Sequence, residues 1–127
     1  MKKNLVYLIL GAIIIMAVGV TFVDFDNQIV SVNSEEFANL IDAAFVLQVH
    51  EPYYGEIEGT DLVVEDWDNL DSYIDKLPKD KKIAIYCRSG RMSGIVAEQL
   101  AERGYDVYDL EGGMNAWQES GKELIVR

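Results

Sequence analysis

Ile83-Ala84-Ile85-Tyr86-Cys87-Arg88-Ser89-Gly90-Arg91-Met92-Ser93-Gly94 is the stretch on which the fold turns. Its first four residues are apolar or aromatic and short enough to be a strand buried on both faces, which stops at Cys87. A tight loop follows. A helix then begins near Met92, with Met92, Val96, Ala97, Leu100 and Ala101 on one side and Gly104 as its C-terminal cap. Upstream, Phe45-Val46-Leu47-Gln48-Val49 predicts a second buried strand, and Ile29-Val30-Ser31-Val32 a short one before it. Between these two, Asn33 or Ser34 caps a helix whose first turn holds Glu35 and Glu36. Phe37, Leu40, Ile41 and Ala44 share one face of it. Residues 50 to 67 read as acidic and irregular, with turn signals at Pro52, Gly55 and Gly59. Leu70, Tyr73, Ile74 and Leu77 predict another helix, ended by Pro78. Downstream come a strand at Val107-Tyr108-Asp109-Leu110, a turn at Gly112-Gly113, and a short helix from Met114 to Ser120, ended by Gly121. Strands alternating with helices imply a single α/β domain, a mainly parallel sheet with helices on both faces. In such folds ligands bind beyond the carboxyl ends of the strands, where Cys87 stands.

Composition narrows the chemistry. The chain has 127 residues, enough for one ordinary domain, and half of them are apolar. Its 22 acids against 11 Lys and Arg give a net charge of -11, so no basic stripe exists to meet nucleic acid. Fourteen acids lie between Asp24 and Asp75 with no Lys or Arg among them, which reads as a well-solvated acidic surface. One cysteine excludes an internal disulfide, a zinc knuckle and a thioredoxin-type cysteine pair. One histidine excludes a multi-histidine metal site, and no metal or other cofactor is expected.

Residues 5 to 23 form an uncharged apolar run of 19 residues. As a helix it would extend about 28 Å, close to the hydrocarbon thickness of a bilayer. Lys2 and Lys3 precede it, whereas Asp24 and Asp26 follow. That asymmetry keeps the N-terminus in the cytoplasm and places the rest outside. The expected organisation is a signal anchor at residues 1–23, a tether at 24–28 and a domain at 29–127. The alternative is a cleaved signal peptide, which would leave a secreted or periplasmic domain. The run is long for a cleaved signal, and Ala17-Val18-Gly19 is a poor cleavage site.

Cys87 carries the chemistry. The backbone amides of the loop can converge on its sulfur, a helix N-terminus lies behind them, and Arg88 and Arg91 add positive charge. All three effects favour the nucleophilic thiolate, and the same cradle suits an anionic substrate or leaving group. A lone cysteine ending a strand is otherwise a small buried hydrophobe. Two arginines and two glycines within the next seven residues pack poorly as core and argue against that reading.

Cys87-Arg88-Ser89-Gly90-Arg91-Met92-Ser93 resembles the active-site loop of the rhodanese (thiosulfate sulfurtransferase) family. Leu110-Glu111-Gly112-Gly113-Met114-Asn115-Ala116-Trp117 resembles the family's second signature, and the resemblance covers residues 29 to 121. It implies a single rhodanese-like domain in which Cys87 is catalytic. Arg88, Ser89, Gly90, Arg91, Met92 and Ser93 would bind the substrate. The partners it implies are a small anionic sulfur donor and a thiol or cyanide acceptor, with a Cys87 persulfide between the two half-reactions. Outside the cytoplasm a lone cysteine can form only mixed or intermolecular disulfides, so a small thiol or a reducing partner protein is expected to keep it reduced.

The sequence departs from the family's pattern in two places. Gln48-Val49-His50 stands where Asp-x-Arg is usual, and Gly55-Glu56-Ile57-Glu58-Gly59 where Gly-His-Ile-x-Gly is usual. An ion pair supporting the loop is thereby lost, which leaves a non-catalytic binding module as an alternative. A related cysteine phosphatase or arsenate reductase fits less well. Phosphatase chemistry wants an arginine six residues after the cysteine, and Ser93 is there. His50 reads as a loop residue without a catalytic role, Trp117 and Met114 as core, and Tyr53 and Tyr54 as surface residues.

Overall fold

The computed structural model describes residues 29–127, and the apolar run at 5–23 lies outside the described residues. Five strands form one parallel sheet: β1 (Ile29–Val32), β2 (Phe45–Val49), β3 (Leu62–Val64), β4 (Ile83–Tyr86) and β5 (Val107–Leu110). Their order across the sheet is β1-β5-β4-β2-β3, so β4 lies at the centre between β5 and β2. Among the described residues three α-helices accompany them: α1 (Ser34–Leu40), α2 (Arg91–Glu102) and α3 (Gly113–Glu119). Among the described residues, no helix is long and apolar enough to cross a membrane.

The alternation of side chains along β4 separates two cores. Ile83, Ile85 and Cys87 join the side covered by Val96, Ala97, Leu100 and Ala101 of α2. Ala84 and Tyr86 join the opposite side, under Phe37 of α1 and Met114 and Trp117 of α3. Helices therefore cover both faces of the sheet, as the alternating pattern predicted. Phe37 meets the rings of Tyr86 and Trp117 edge-on, at centroid distances of 5.8 and 6.2 Å. Asn33 caps α1 through a reciprocal pair with Glu36: its side chain accepts from the Glu36 amide at 2.9 Å, and Glu36 accepts from the Asn33 amide at 3.3 Å.

Three local expectations need correction. The apolar face expected to run from Phe37 to Ala44 is helical only to Leu40, and the amides of Ala43 and Ala44 both turn back to the Leu40 carbonyl. The helix expected at 70–77 is two 3-10 turns, Leu70–Ser72 and Ile74–Lys76. Ser72 Oγ donates to the Asn69 carbonyl at 2.6 Å, and Tyr73, with φ -132°, leaves the helical region between the turns. The acidic segment 50–67 contains β3, whose three residues pair with Leu47, Gln48 and Val49 of β2. Asp61 leads into it, accepting from the Val46 amide at 2.8 Å through its carboxylate.

Candidate active site

Cys87 follows β4 directly and is 1% exposed. Its Sγ accepts a hydrogen bond from the Gly90 amide at 3.0 Å. Gly90 is the N-cap of α2, with φ 103°, and no side chain caps this helix. The sulfur thus receives the N-cap residue's own amide, the donor that an N3 side chain takes in a capping box. The first turn of α2 contains no acid and begins with the exposed Arg91. A cation there opposes the helix dipole, and together they make this end of the helix electropositive.

The loop is shaped from behind by α3. Met114 N donates to the Cys87 carbonyl at 2.8 Å and Asn115 N to the Arg88 carbonyl at 3.0 Å. A planar peptide points its C=O and N–H in opposite directions. Fixing these two carbonyls on α3 turns the amides of Arg88 and Ser89 to the other side of the loop. Gly113 permits the approach: a Cβ there would lie 2.3 Å from the Cys87 carbonyl oxygen.

The remaining loop residues divide into outward and inward groups. Arg88, Ser89 and Arg91 are exposed, and Met92 is half-buried against the α2-side core. The Arg88 guanidinium lies over the ring of Tyr54, 4.4 Å from its centroid. Ser93, expected to face substrate, is buried. Its hydroxyl donates to Asp109 Oδ1 at 2.8 Å and lies 3.3 Å from the Gly90 carbonyl. Asp109 is on β5 opposite Ile85, and burial raises its carboxyl pKa to about 6, against the lowering effect of the Ser93 bond. The one sequence signal for Asp109 is an acid between Tyr108 and Leu110 in a strand.

Two of the positions that depart from the family pattern, Gln48 and Glu56, are held by hydrogen-bond partners of their own. Gln48 Nε2 donates to the Gly55 carbonyl at 2.7 Å and to the Tyr86 hydroxyl at 3.0 Å. Ile57 N also donates to that hydroxyl, at 2.9 Å. With two donors received, Tyr86 gives its proton to Thr60 Oγ1 at 2.7 Å, and Thr60 passes its own to the Ile57 carbonyl at 2.6 Å. Glu56 is buried and paired with Arg127. Its carboxyl is held below the usual range, first by the Arg127 hydrogen bond. No local signal joins residues this far apart in sequence.

His50 is in the loop that leaves β2, as expected, and is buried there. Neither ring nitrogen has a hydrogen-bond partner among the described residues, nor does Gln48 Oε1. Its pKa is lowered from the ordinary 6.5, first by burial, then by the charge of Arg88, with Glu65 acting in the opposite direction.

Among known proteins, the family described as Rhodanese-like domain matches residues 22–120. A sulfurtransferase of Allochromatium vinosum is 38% identical over 52 residues, 40% of this chain and 49% of that protein. Thiosulfate sulfurtransferase GlpE of Coxiella burnetii is 40% identical over 50 residues, 39% of this chain and 47% of that protein. The chain thus spans about half the length of the curated relatives it matches. The crystal structure of a rhodanese-related protein from Thermoplasma volcanium aligns with a TM-score of 0.70 at 30% identity, covering 77% of this chain and 99% of that one.

Proposed function

The chain belongs to the rhodanese-like domain family, and from that premise we propose that it is a sulfurtransferase working through a persulfide on Cys87. The observation that carries the reading is the buried Cys87 sulfur at the end of β4, bonded by the Gly90 amide at an uncapped helix N-terminus flanked by two exposed arginines. In the first half-reaction the Cys87 thiolate attacks the outer sulfur of a thiosulfate-like donor. The donor S–S bond breaks, and sulfite leaves with the electron pair. Arg88 and Arg91 attract the donor and stabilise the departing dianion. In the second, an acceptor thiolate or cyanide attacks the outer sulfur of the persulfide, and the Cys87 thiolate is released. Ser93 lies beneath the loop with its hydroxyl bonded to Asp109, and the Gly90 carbonyl is held by the Gly94 amide at 3.1 Å.

Intact mass after treatment with thiosulfate tests the reading. Gain of one sulfur atom, lost again on adding cyanide and absent in Cys87→Ser, is expected. An unmodified wild-type chain would overturn it. The proposal extends to placement: residues 5–23 anchor the domain on the outer face of the cytoplasmic membrane. Carbonate-resistant membrane attachment with digestion by protease added to spheroplasts is expected. A carbonate-soluble product starting near residue 20, or protection from external protease, would refute the anchor or the orientation.

A further inference from the structure

The segment from Tyr53 to Thr60 contains no helix and no strand of the sheet, yet it is held at several points. Glu56 exchanges both backbone hydrogen bonds with Ile125, at 2.8 and 2.7 Å. The Glu56 side chain is 3% exposed and accepts from Arg127 Nε at 3.0 Å and from Arg127 Nη2. The Tyr53 hydroxyl donates to Glu56 Oε1 at 2.7 Å and accepts from the Arg127 amide at 3.2 Å. Arg127 Nη2 also donates to the Thr60 carbonyl at 3.0 Å. Tyr54 lies between two anchored neighbours: Tyr53 in this clasp, and Gly55, whose carbonyl is held by Gln48. Tyr54 itself is 46% exposed, and its ring makes the contact with the Arg88 guanidinium.

We infer that Glu56 and Arg127 are positioning residues for the anionic donor: their clasp fixes Tyr54, and Tyr54 holds the Arg88 guanidinium beside the Cys87 loop. The inference rests on the sulfurtransferase reading, because the donor is the anion that Arg88 meets. An unrestrained arginine samples many rotamers and loses that freedom when it binds an anion. Resting on a fixed ring, Arg88 has already lost part of it, so the donor binds more tightly without any new contact to itself. Because its carboxylate end is buried, the clasp is less screened by salt than a surface pair.

The test is steady-state kinetics with thiosulfate for wild type, Arg127→Ala, Arg127→Lys and Tyr54→Ala, each alone and combined with Arg88→Ala. Thiosulfate binding to the Cys87→Ser forms of the same set is measured by calorimetry. Arg127→Ala is expected to raise KM about two- to fivefold, the scale of one exposed cation–π contact, with kcat nearly unchanged. Arg127→Lys should restore part of the affinity. With Arg88→Ala present, Arg127→Ala should raise KM no further, whereas a structural role would lower stability equally in both backgrounds. Tyr54→Ala leaves the clasp intact and should reproduce the KM change with the same dependence on Arg88, even if Arg127→Ala loosens the fold. A KM unchanged in Arg127→Ala and Tyr54→Ala, or raised equally with and without Arg88, overturns the inference. A wild-type chain whose Cys87 gains no sulfur sinks the sulfurtransferase reading instead, and the calorimetric set still decides whether the clasp acts on anion binding through Arg88.

Discussion

Alanine at position 113 would place a methyl carbon 2.3 Å from the Cys87 carbonyl oxygen and 2.8 Å from both the carbon and the oxygen of the Arg88 carbonyl. All three atoms are backbone, so no flexible side chain can yield. The φ of Gly113 is +58°, a left-handed conformation costing an L-residue about 1–2 kcal/mol. Displacing the loop adds about 1–3 kcal/mol, the usual cost of forcing extra volume into a packed site. Gly104→Ala separates the two terms, because Gly104 has φ +88° and a methyl carbon there would meet nothing within 4 Å. Both variants also lose the same unfolded-chain freedom, so that contribution cancels in the comparison. Gly113→Ala should therefore be less stable than Gly104→Ala by about 1–3 kcal/mol. For a domain of this size, each kcal/mol corresponds to roughly 4–8 °C in Tm. The bonds from Met114 and Asn115 to the loop carbonyls must lengthen, moving the peptides around the sulfur. Misplacement by about 1 Å can cost on the order of a hundredfold in rate, so sulfur uptake from thiosulfate should fall at least about tenfold in Gly113→Ala and stay near wild type in Gly104→Ala. Urea unfolding and time-resolved intact mass measure the two effects. Equal stability and equal sulfur uptake in the two variants would refute the close approach of α3 as the support of the loop.

Tyr86→Phe leaves the Ile57 amide and the Gln48 side-chain amide without their shared acceptor, so urea unfolding should show a loss of about 1–3 kcal/mol. An unchanged midpoint would mean the hydroxyl network contributes nothing to stability. Asp109 has a folded pKa of about 6, above its ordinary 3.8, so the folded state binds the extra proton and stability falls as pH rises between about 4 and about 6. The loss is at most about 3 kcal/mol before solvent screening, and less after it. Asp109→Asn should be more stable than wild type at neutral pH and lose that advantage by about pH 4; an advantage independent of pH would show that the carboxyl does not titrate in this window. His50 has its folded pKa lowered from 6.5, so the unfolded chain takes up the proton first and stability falls as pH drops through about 6.5. His50→Leu should remove that fall and be no less stable at neutral pH, since it deletes two buried unpartnered nitrogens; a loss above about 1 kcal/mol at neutral pH would show that those nitrogens are hydrogen-bonded.

Local sequence determined the skeleton of this domain because its strongest elements are set by short-range physics. Ile29–Val32, Phe45–Val49, Ile83–Tyr86 and Val107–Leu110 are strands where the apolar runs predicted them, and α2 packs Val96, Ala97, Leu100 and Ala101 together on one core. The Cys87 loop was legible for the same reason. Its glycines, arginines and cysteine lie within a few residues, where a strand end and a helix start meet.

Tertiary structure decided what depends on partners distant in the chain. β3 is three residues in an acidic segment and becomes a strand only because β2 offers an edge to it. The helical spacing of Leu70, Tyr73, Ile74 and Leu77 was real, but the backbone leaves the helical region at the buried Tyr73, whose hydroxyl bonds the Trp67 carbonyl, and the segment forms two 3-10 turns. Ser93 looked like a substrate contact by its place in the loop, yet β5 presents Asp109 beneath it and turns its hydroxyl inward. Gln48 and Glu56 read as losses from a family pattern because the groups that occupy them, Tyr86 and Arg127, stand 38 and 71 residues away. Periodicity and propensity act over a turn or a strand, whereas a buried polar group is satisfied by whatever the fold brings within about 3 Å, and no local pattern records that choice.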